Sequence, residues 1–157
     1  MPAENTVLME GVRIIFRNFQ GKEGQYNRAG DRNFGVILPP DVAEVMLADG
    51  WNVKYLKPRE DDEGEEQEET PWLSVSLNFD KGRPPKVMMV TDRGRTALDE
   101  HNVDLLDWAD IKNVDLIVRP YTWEVSGRTG IKAYLQSMYV TIEEDELERK
   151  YAEMDAQ

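Results

Sequence analysis

Two segments of the chain, Arg13–Phe34 and Arg119–Tyr134, mix positively charged side chains with aromatic rings. Cations attract the phosphates of a single-stranded nucleic acid, and flat rings stack on its unpaired bases. The candidate binding residues in these segments are Arg13, Arg17, Lys22, Tyr26, Arg28, Arg32, Arg119, Tyr121, Trp123, Arg128, Lys132 and Tyr134. The residues alone leave a second interpretation open, in which the rings belong to the core and the cations are merely solvated.

The second of these segments lies on a predicted β-hairpin. Val114–Val125 and Ile131–Ile142 are rich in β-branched and aromatic residues, as strands are. We expect the turn at Ser126–Gly130, where two glycines can adopt positive φ angles. Pro120 lacks a backbone donor, so it predicts an edge, a bulge or a bend in the first strand.

The remaining elements are mostly short strands. Apolar residues alternate strictly with polar ones over Trp72–Phe79, which predicts a half-buried strand. Pro40–Asp49 has the proline start and apolar spacing of a short helix, ended by Gly50. Further strands are expected near 12–17, 33–38, 51–56 and 86–90, with a second short helix near 103–108. Short strands with glycine-rich turns indicate a small barrel or a sandwich.

The aromatic residues outside the candidate set are divided between core and surface. Phe16, Phe34 and Phe79 fall on the apolar side of alternating strands, so we assign them to the core. Trp51 and Trp108 are assigned there too. Trp72 lies on the polar face of its strand and is a weaker stacking candidate.

The negative charge of the chain is concentrated in two segments. The net charge is −12, yet Glu60–Glu69 and Glu143–Asp155 hold 15 of the 31 acids and two of the 19 bases. The rest of the chain therefore carries a net charge of +1. Such acidic blocks are typical of solvated loops and interaction tails, so they do not exclude a nucleic-acid partner.

Several classes of function find no support in the sequence. The chain has no cysteine and one histidine, His101 in a polar context, so the spaced ligands of a zinc site are absent. Gly127–Lys132 lacks the spacing of a phosphate-binding loop, and Glu60–Glu69 does not fit a calcium-binding loop. No apolar run is long enough to span a membrane. We therefore expect a soluble, cytoplasmic, non-enzymatic protein without metal or cofactor.

Three segments resemble single-stranded DNA-binding proteins of tailed bacteriophages. They are FRNFQGKEGQYNRAGDRNFGVIL (Phe16–Leu38), DIKNVDLIVRPYTWEV (Asp110–Val125) and GIKAYLQSMYVTI (Gly130–Ile142), followed by an acidic end. The resemblance implies an oligonucleotide-binding (OB) barrel whose cleft takes single strands with little sequence preference. It also implies an acidic tail that contacts replication partners and competes with DNA for the cleft. The tail ends in Asp155-Ala156-Gln157, without the terminal aromatic residue that many such tails carry.

The sequence thus predicts a mainly β, OB-type small barrel with one or two short helices. The binding domain would span residues 1–142 with an acidic loop inserted at 60–70, and the acidic C-terminal tail would span 143–157. The expected function is non-specific binding of single-stranded DNA during phage replication or recombination in the infected cell. Expected partners are single-stranded DNA, replication proteins that the tail would contact, and in one arrangement a second copy in a homodimer. The alternative is an acidic accessory or DNA-mimic protein that binds a basic enzyme surface.

Overall fold

The chain folds into a mainly β structure. The computed structural model describes residues 6–25, 27–56, 69–79, 84–92 and 94–143. One α-helix, α1 (Pro40–Asp49), and a 3₁₀ helix (Val103–Asp107) accompany the strands. The strands are β1 (Val7–Met9), β2 (Ile14–Asn18), β3 (Arg32–Ile37), β4 (Val53–Leu56), β5 (Thr70–Leu77), β6 (Lys86–Thr91), β7 (Gly94–Leu98), β8 (Ile111–Val125) and β9 (Arg128–Ile142). The predicted fold class, mainly β with one or two short helices, is confirmed.

Helix α1 begins and ends where the sequence predicts. Proline occupies the start of its first turn, where the missing N–H costs no helical hydrogen bond. At the other end Gly50 adopts a φ of 101°, and its N–H donates to the carbonyl of Leu47. This left-handed conformation suits glycine and ends the helix. Ala43 and Met46 point into the core.

The strands form one sheet with β9 near its centre. The main path runs β1-β8-β9-β5-β3-β2, with β4 beside the first half of β5 and the β6–β7 hairpin beside β9. The β5–β9 and β6–β9 pairs are parallel, and the others are antiparallel. Among the described residues no strand ladder joins the two ends of this path, so the sheet is not closed, although the Val12 N–H just before β2 donates to the carbonyl of Val114 in β8.

The long hairpin of β8 and β9 confirms the predicted strands but corrects the predicted turn. The turn has two residues, Ser126 and Gly127, with φ angles of 52° and 79°. Two positive φ angles give the turn whose twist matches that of the flanking strands. Gly130 therefore belongs to β9, where it lies opposite Trp123. The pairing of β1 with β8 covers Leu116 to Val118 and ends there. Pro120 therefore lies on an outer edge of the sheet, as predicted.

The core lies under one face of β5 and its neighbours. Leu73, Val75 and Leu77 are buried, which confirms the alternation predicted for this strand. Phe34 is 1% exposed and Trp51 is 5% exposed, so their assignment to the core is confirmed. Burying such large apolar side chains is the main source of stability in a domain of this size.

Two other assignments to the core are wrong. Phe16 is 58% exposed because β2 contains a bulge, in which Phe16 and Arg17 both lie opposite the single residue Phe34. The bulge breaks the alternation and turns the Phe16 ring outward. Trp108 is 82% exposed and directly follows the 3₁₀ helix, whose buried residues are Val103 and Leu106. Phe79 packs against the core but is only half-buried.

Three sequence predictions fall wholly or mostly outside the described residues. They concern Tyr26, the acidic loop at 60–70 and the acidic tail at 143–157. Of the loop, only Glu69 and Thr70 are described, and of the tail only Glu143. Glu143 donates its backbone N–H to the carbonyl of Asp110, and its carboxylate lies 3.8 Å from the Lys112 ammonium.

Candidate nucleic-acid interface

An open trough of about 680 Å³ lies on the face of the sheet opposite the core. Its floor includes Ser74 and Ser76, the polar residues of β5 whose neighbours Val75 and Leu77 are buried. β3, β4, β8 and β9 all contribute to its lining. The volume falls within the range of about 300–1,000 Å³ typical of ligand sites. The trough is therefore large enough to hold unpaired nucleotides.

Strand register explains why distant segments meet in the trough. Residues directly opposite one another on paired strands point to the same face of a sheet. Ser76 lies opposite Asn33 of β3 on one side and opposite Tyr134 of β9 on the other. In β4, Lys54 lies opposite Trp72, which shares the face of Ser74 and Ser76. The polar face of β5 thus gathers side chains from three other strands.

The hairpin brings rings and cations together on the same face. Tyr121 lies opposite Lys132, and Arg119 lies opposite Tyr134. The Lys132 ammonium is 5.1 Å from the centre of the Tyr134 ring, and the Tyr121 and Tyr134 rings meet edge to face at 5.7 Å. Lys132 and Tyr134 line the trough. Tyr121 is 57% exposed beside it.

A glycine allows Trp123 to pack closely against its own hairpin. Its partner across the hairpin is Gly130, and a β carbon added there would lie 2.5 Å from Trp123 Cζ2. Real carbon–carbon contacts are about 3.5–4.0 Å, so only glycine allows the indole to lie this close. The ring is half-buried and lines the trough. It presents a π surface on which a base can stack.

The charged groups of the trough are mixed but include more cations than carboxylates. Arg32, Lys54 and Lys132 line it, against Asp31 and Glu100. The Arg32 guanidinium donates to the carbonyls of Phe19 at 2.6 Å and Glu100 at 3.1 Å. It also lies 5.5 Å from the centre of the Phe79 ring. Arg32 is thus fixed by the fold, whereas Lys54 and Lys132 are exposed.

The trough contains some of the sequence-predicted residues and not others. Those that line it are Arg32, Trp123, Lys132 and Tyr134. Arg119, Tyr121 and Arg128 lie on the same hairpin face without lining it, Arg128 being opposite Val125 beside the turn. Lys22 and Arg28 are exposed in the loop before β3, where Arg28 pairs with Asp31 at 3.5 Å. Tyr26 is outside the described residues.

Arg13 and Arg17 line a different groove, of about 440 Å³, together with Lys112. The Arg17 guanidinium donates to the carbonyl of Leu106 at 2.9 Å and to that of Ala109 at 2.8 Å. These bonds tie β2 to the 3₁₀ helix and to the segment that follows it. The predicted binding residues thus include members of two separate concavities, the trough and this groove.

Sequence reasoning missed several residues that line the trough. Lys54 has no local signal, because only the pairing of β4 with β5 brings it to this face. Phe79 was assigned to the core alone, yet it also lines the trough. The polar side of β5 was the available signal, since Ser74, Ser76 and Asn78 alternate with buried residues. A polar row on a central strand marks a face that is not covered by the core.

Within the described part of the chain, no group of three or more acidic or histidine side chains is arranged to hold a metal ion. No helix among the same residues is long and apolar enough to cross a membrane. His101 is exposed, as expected, and its imidazole Nε2 lies 3.8 Å from the carboxylate of Glu100.

Comparisons with known proteins identify a family and structures of similar fold. The model of a family described as "Putative phage ssDNA-binding domain" matches residues 1–157. A single-stranded DNA-binding protein from bacteriophage Enc34 in complex with ssDNA has a similar fold, with a TM-score of 0.55, 13% identity, and coverage of 89% of this chain and 88% of that one. Its C-terminal truncation gives a TM-score of 0.52 at 15% identity, covering 89% and 87%. No curated protein sequence matches significantly.

Proposed function

The chain belongs to the phage single-stranded DNA-binding domain family, and from that premise we propose that it binds single-stranded DNA along the trough without preference for base sequence. The observation that carries the proposal is the position of Trp123. Its ring lies against Gly130 on the face that also holds Lys132 and Tyr134. Membership in a family of DNA-binding proteins confirms the prediction of a non-enzymatic protein.

Binding in the trough combines two interactions. Lys54 and Lys132 neutralise phosphates, and the guanidinium of Arg32 adds a positive charge that its hydrogen bonds hold in place. The slope of log K against log salt becomes more negative by about 0.7 for each phosphate neutralised on a single strand. Trp123 and Tyr134 supply stacking surfaces, each worth about 1–3 kcal/mol per base. Stacking accepts every base, so the proposed site does not read sequence.

The hydrogen-bonding groups of the floor suit the sugar–phosphate backbone. Ser74, Ser76 and Asn33 place hydroxyl and amide groups between the cationic side chains. Such groups commonly contact phosphate and sugar oxygens, which fixes the path of the strand and carries no sequence information. We therefore propose that backbone contacts lie along β5 and that stacking contacts lie on the hairpin.

The biological role follows from this binding mode. We propose that the protein protects exposed strands during phage DNA replication or recombination in the cytoplasm of the infected cell. The acidic tail, residues 143–157, would contact replication proteins and would compete with DNA for the cationic trough, because a tethered polyanion has a high effective concentration. The OB topology, the division into a binding domain and a tail, and a homodimer remain proposals of the same kind.

The test is a titration of fluorescently labelled oligo-dT, followed by anisotropy at several salt concentrations. We expect binding that weakens as salt rises, and Lys132→Met should make the slope of log K against log salt less negative by about 0.7. Arg28→Met is the matched control, because Arg28 is 93% exposed and lies outside the trough. Equal slopes for the two variants would refute the trough as the DNA path.

The DNA-mimic alternative makes the opposite prediction in the same experiment. A mimic would not bind oligo-dT at any salt concentration, and it would compete with DNA for a basic enzyme surface. Retention of oligo-dT by the intact chain would therefore exclude it.

A further inference from the structure

A second aromatic cluster lies on the trough face and is unexplained by the core. The Phe16 and Trp72 rings meet edge to face at 5.1 Å, with an angle of 62° between their planes. The Lys54 ammonium lies 5.3 Å from the centre of the Trp72 ring. A cation and two rings thus share one small patch, which has the composition of a nucleotide-binding surface.

The backbone of Phe16 is strained where its ring is exposed. Its φ is 51°, in the left-handed region that bulky residues rarely adopt. The residue is nevertheless 58% exposed, so burial does not offset this strain. Strained residues of this kind persist where surrounding structure enforces them, and they cluster at binding sites. Here the bulge in β2 enforces the conformation.

Trp72 is seated on a glycine, as Trp123 is. A β carbon added at Gly35 would lie 2.7 Å from Trp72 Cε3 and 3.0 Å from Ile15 Cγ1. Gly35 does not have a positive φ, so the backbone conformation does not require glycine there. The close approach of the indole does require it. The sheet face therefore carries two tryptophans, each packed closely against a glycine.

The cluster continues the trough rather than standing apart from it. Lys54 lines the trough and also lies over Trp72, so it belongs to both surfaces. Trp72 and Ser76 are four residues apart on the same face of β5, a separation of about 13 Å at 3.3 Å per residue. A single strand that follows β5 beyond Ser74 would reach the two rings.

We propose that Phe16 and Trp72 form a second stacking platform for an unpaired nucleobase of the same bound strand. The platform extends the DNA path from the trough across Lys54 to the bulge of β2. This inference rests on the proposed function, and it adds a subsite whose use depends on the length of the strand.

The test compares oligo-dT of increasing length, from about 4 to about 16 nucleotides, which spans the site sizes of OB-fold proteins. The variant is Phe16→Asn, because asparagine tolerates a left-handed backbone and removes the ring without added strain. The matched control is Tyr55→Asn, which removes an exposed ring from the opposite face of β4. Circular dichroism and thermal unfolding should show both variants folded.

We expect Phe16→Asn to weaken the affinity for the longest oligonucleotide by roughly 5-fold or more. The affinity for the shortest oligonucleotide that still binds should not change. Tyr55→Asn should match the intact protein at every length. If Phe16→Asn binds all lengths as the intact protein does, the platform is refuted while the trough survives. If the intact protein binds no oligo-dT, the proposed function itself fails.

Tryptophan fluorescence gives an independent readout. A protein carrying Trp108→Phe and Trp123→Phe retains only Trp51, which is buried, and Trp72. Long oligo-dT should quench its emission, since a base stacks on or beside Trp72. Saturating binding without quenching would overturn the proposal.

Discussion

Substituting Gly130 tests whether the position of the Trp123 ring controls DNA binding. A β carbon at residue 130 would lie 2.5 Å from Trp123 Cζ2 and 2.7 Å from Cε2. Carbon atoms pack at about 3.5–4.0 Å, so Gly130→Ala must displace the indole by about 1–1.5 Å. Gly130 does not have a positive φ, so alanine strains the site only through the ring.

The expected loss of affinity follows from the stacking contribution. Removing the ring with Trp123→Ala should cost about 1–3 kcal/mol, or roughly 5- to 140-fold in Kd. Gly130→Ala leaves the ring present but tilted, and we expect about 1 kcal/mol, or roughly fivefold. The free energy of unfolding should change by less than about 1 kcal/mol, because alanine in a strand offsets part of the crowding.

The assay is an anisotropy titration with oligo-dT at one low salt concentration. The decisive protein is the double variant, which should bind like Trp123→Ala to within about 0.5 kcal/mol, since Gly130→Ala acts only through the ring. Gly24→Ala is the matched control, because a β carbon there meets nothing within 4 Å. Additive losses in the double variant would refute this reasoning, as would normal affinity in Gly130→Ala.

Three further predictions concern stability and charge. Trp108→Ser should change the free energy of unfolding by no more than about 0.5 kcal/mol, whereas Trp51→Ala should lower it by about 3–5 kcal/mol, both measured by urea denaturation. Arg17→Met should lower it by about 1–3 kcal/mol through the loss of two hydrogen bonds to carbonyls, and the salt slope of DNA binding should not change. Ser126→Asn should raise the thermal midpoint, because asparagine followed by glycine favours this turn. A lower midpoint would contradict that assignment.

Local patterns predicted the elements that depend on local chemistry. Pro40 and Gly50 bounded the helix, and the strict alternation around Val75 gave both faces of β5. The errors arose where tertiary structure overrides the local pattern. The bulge at Phe16 reverses which residues of β2 point to each face of the sheet. The sequence there gives no sign of a bulge, because phenylalanine disfavours the positive φ that Phe16 adopts. Trp108 follows a 3₁₀ helix too short to show an amphipathic period.

The sequence predicted some residues of the candidate site and not others. Trp123 and Lys132 were found because one hairpin places them together, and hairpins are local. Lys54 was not found, because its place in the trough depends on the pairing of β4 with β5 across the acidic loop. Arg13 was grouped with the site by nearness in sequence, but the fold directs it to another groove. Pairing between distant strands is what composition cannot supply.

Pro120 has a consequence for how copies of the protein behave in concentrated solution. Among the described residues, no strand covers the outer edge of β8 from Arg119 to Val125, and such bare edges invite pairing between molecules and fibril growth. Proline interrupts the row of backbone donors on this strand, and the charge of Glu124 is carried farther along it. Both features disfavour pairing of this exposed strand edge with another copy of the protein.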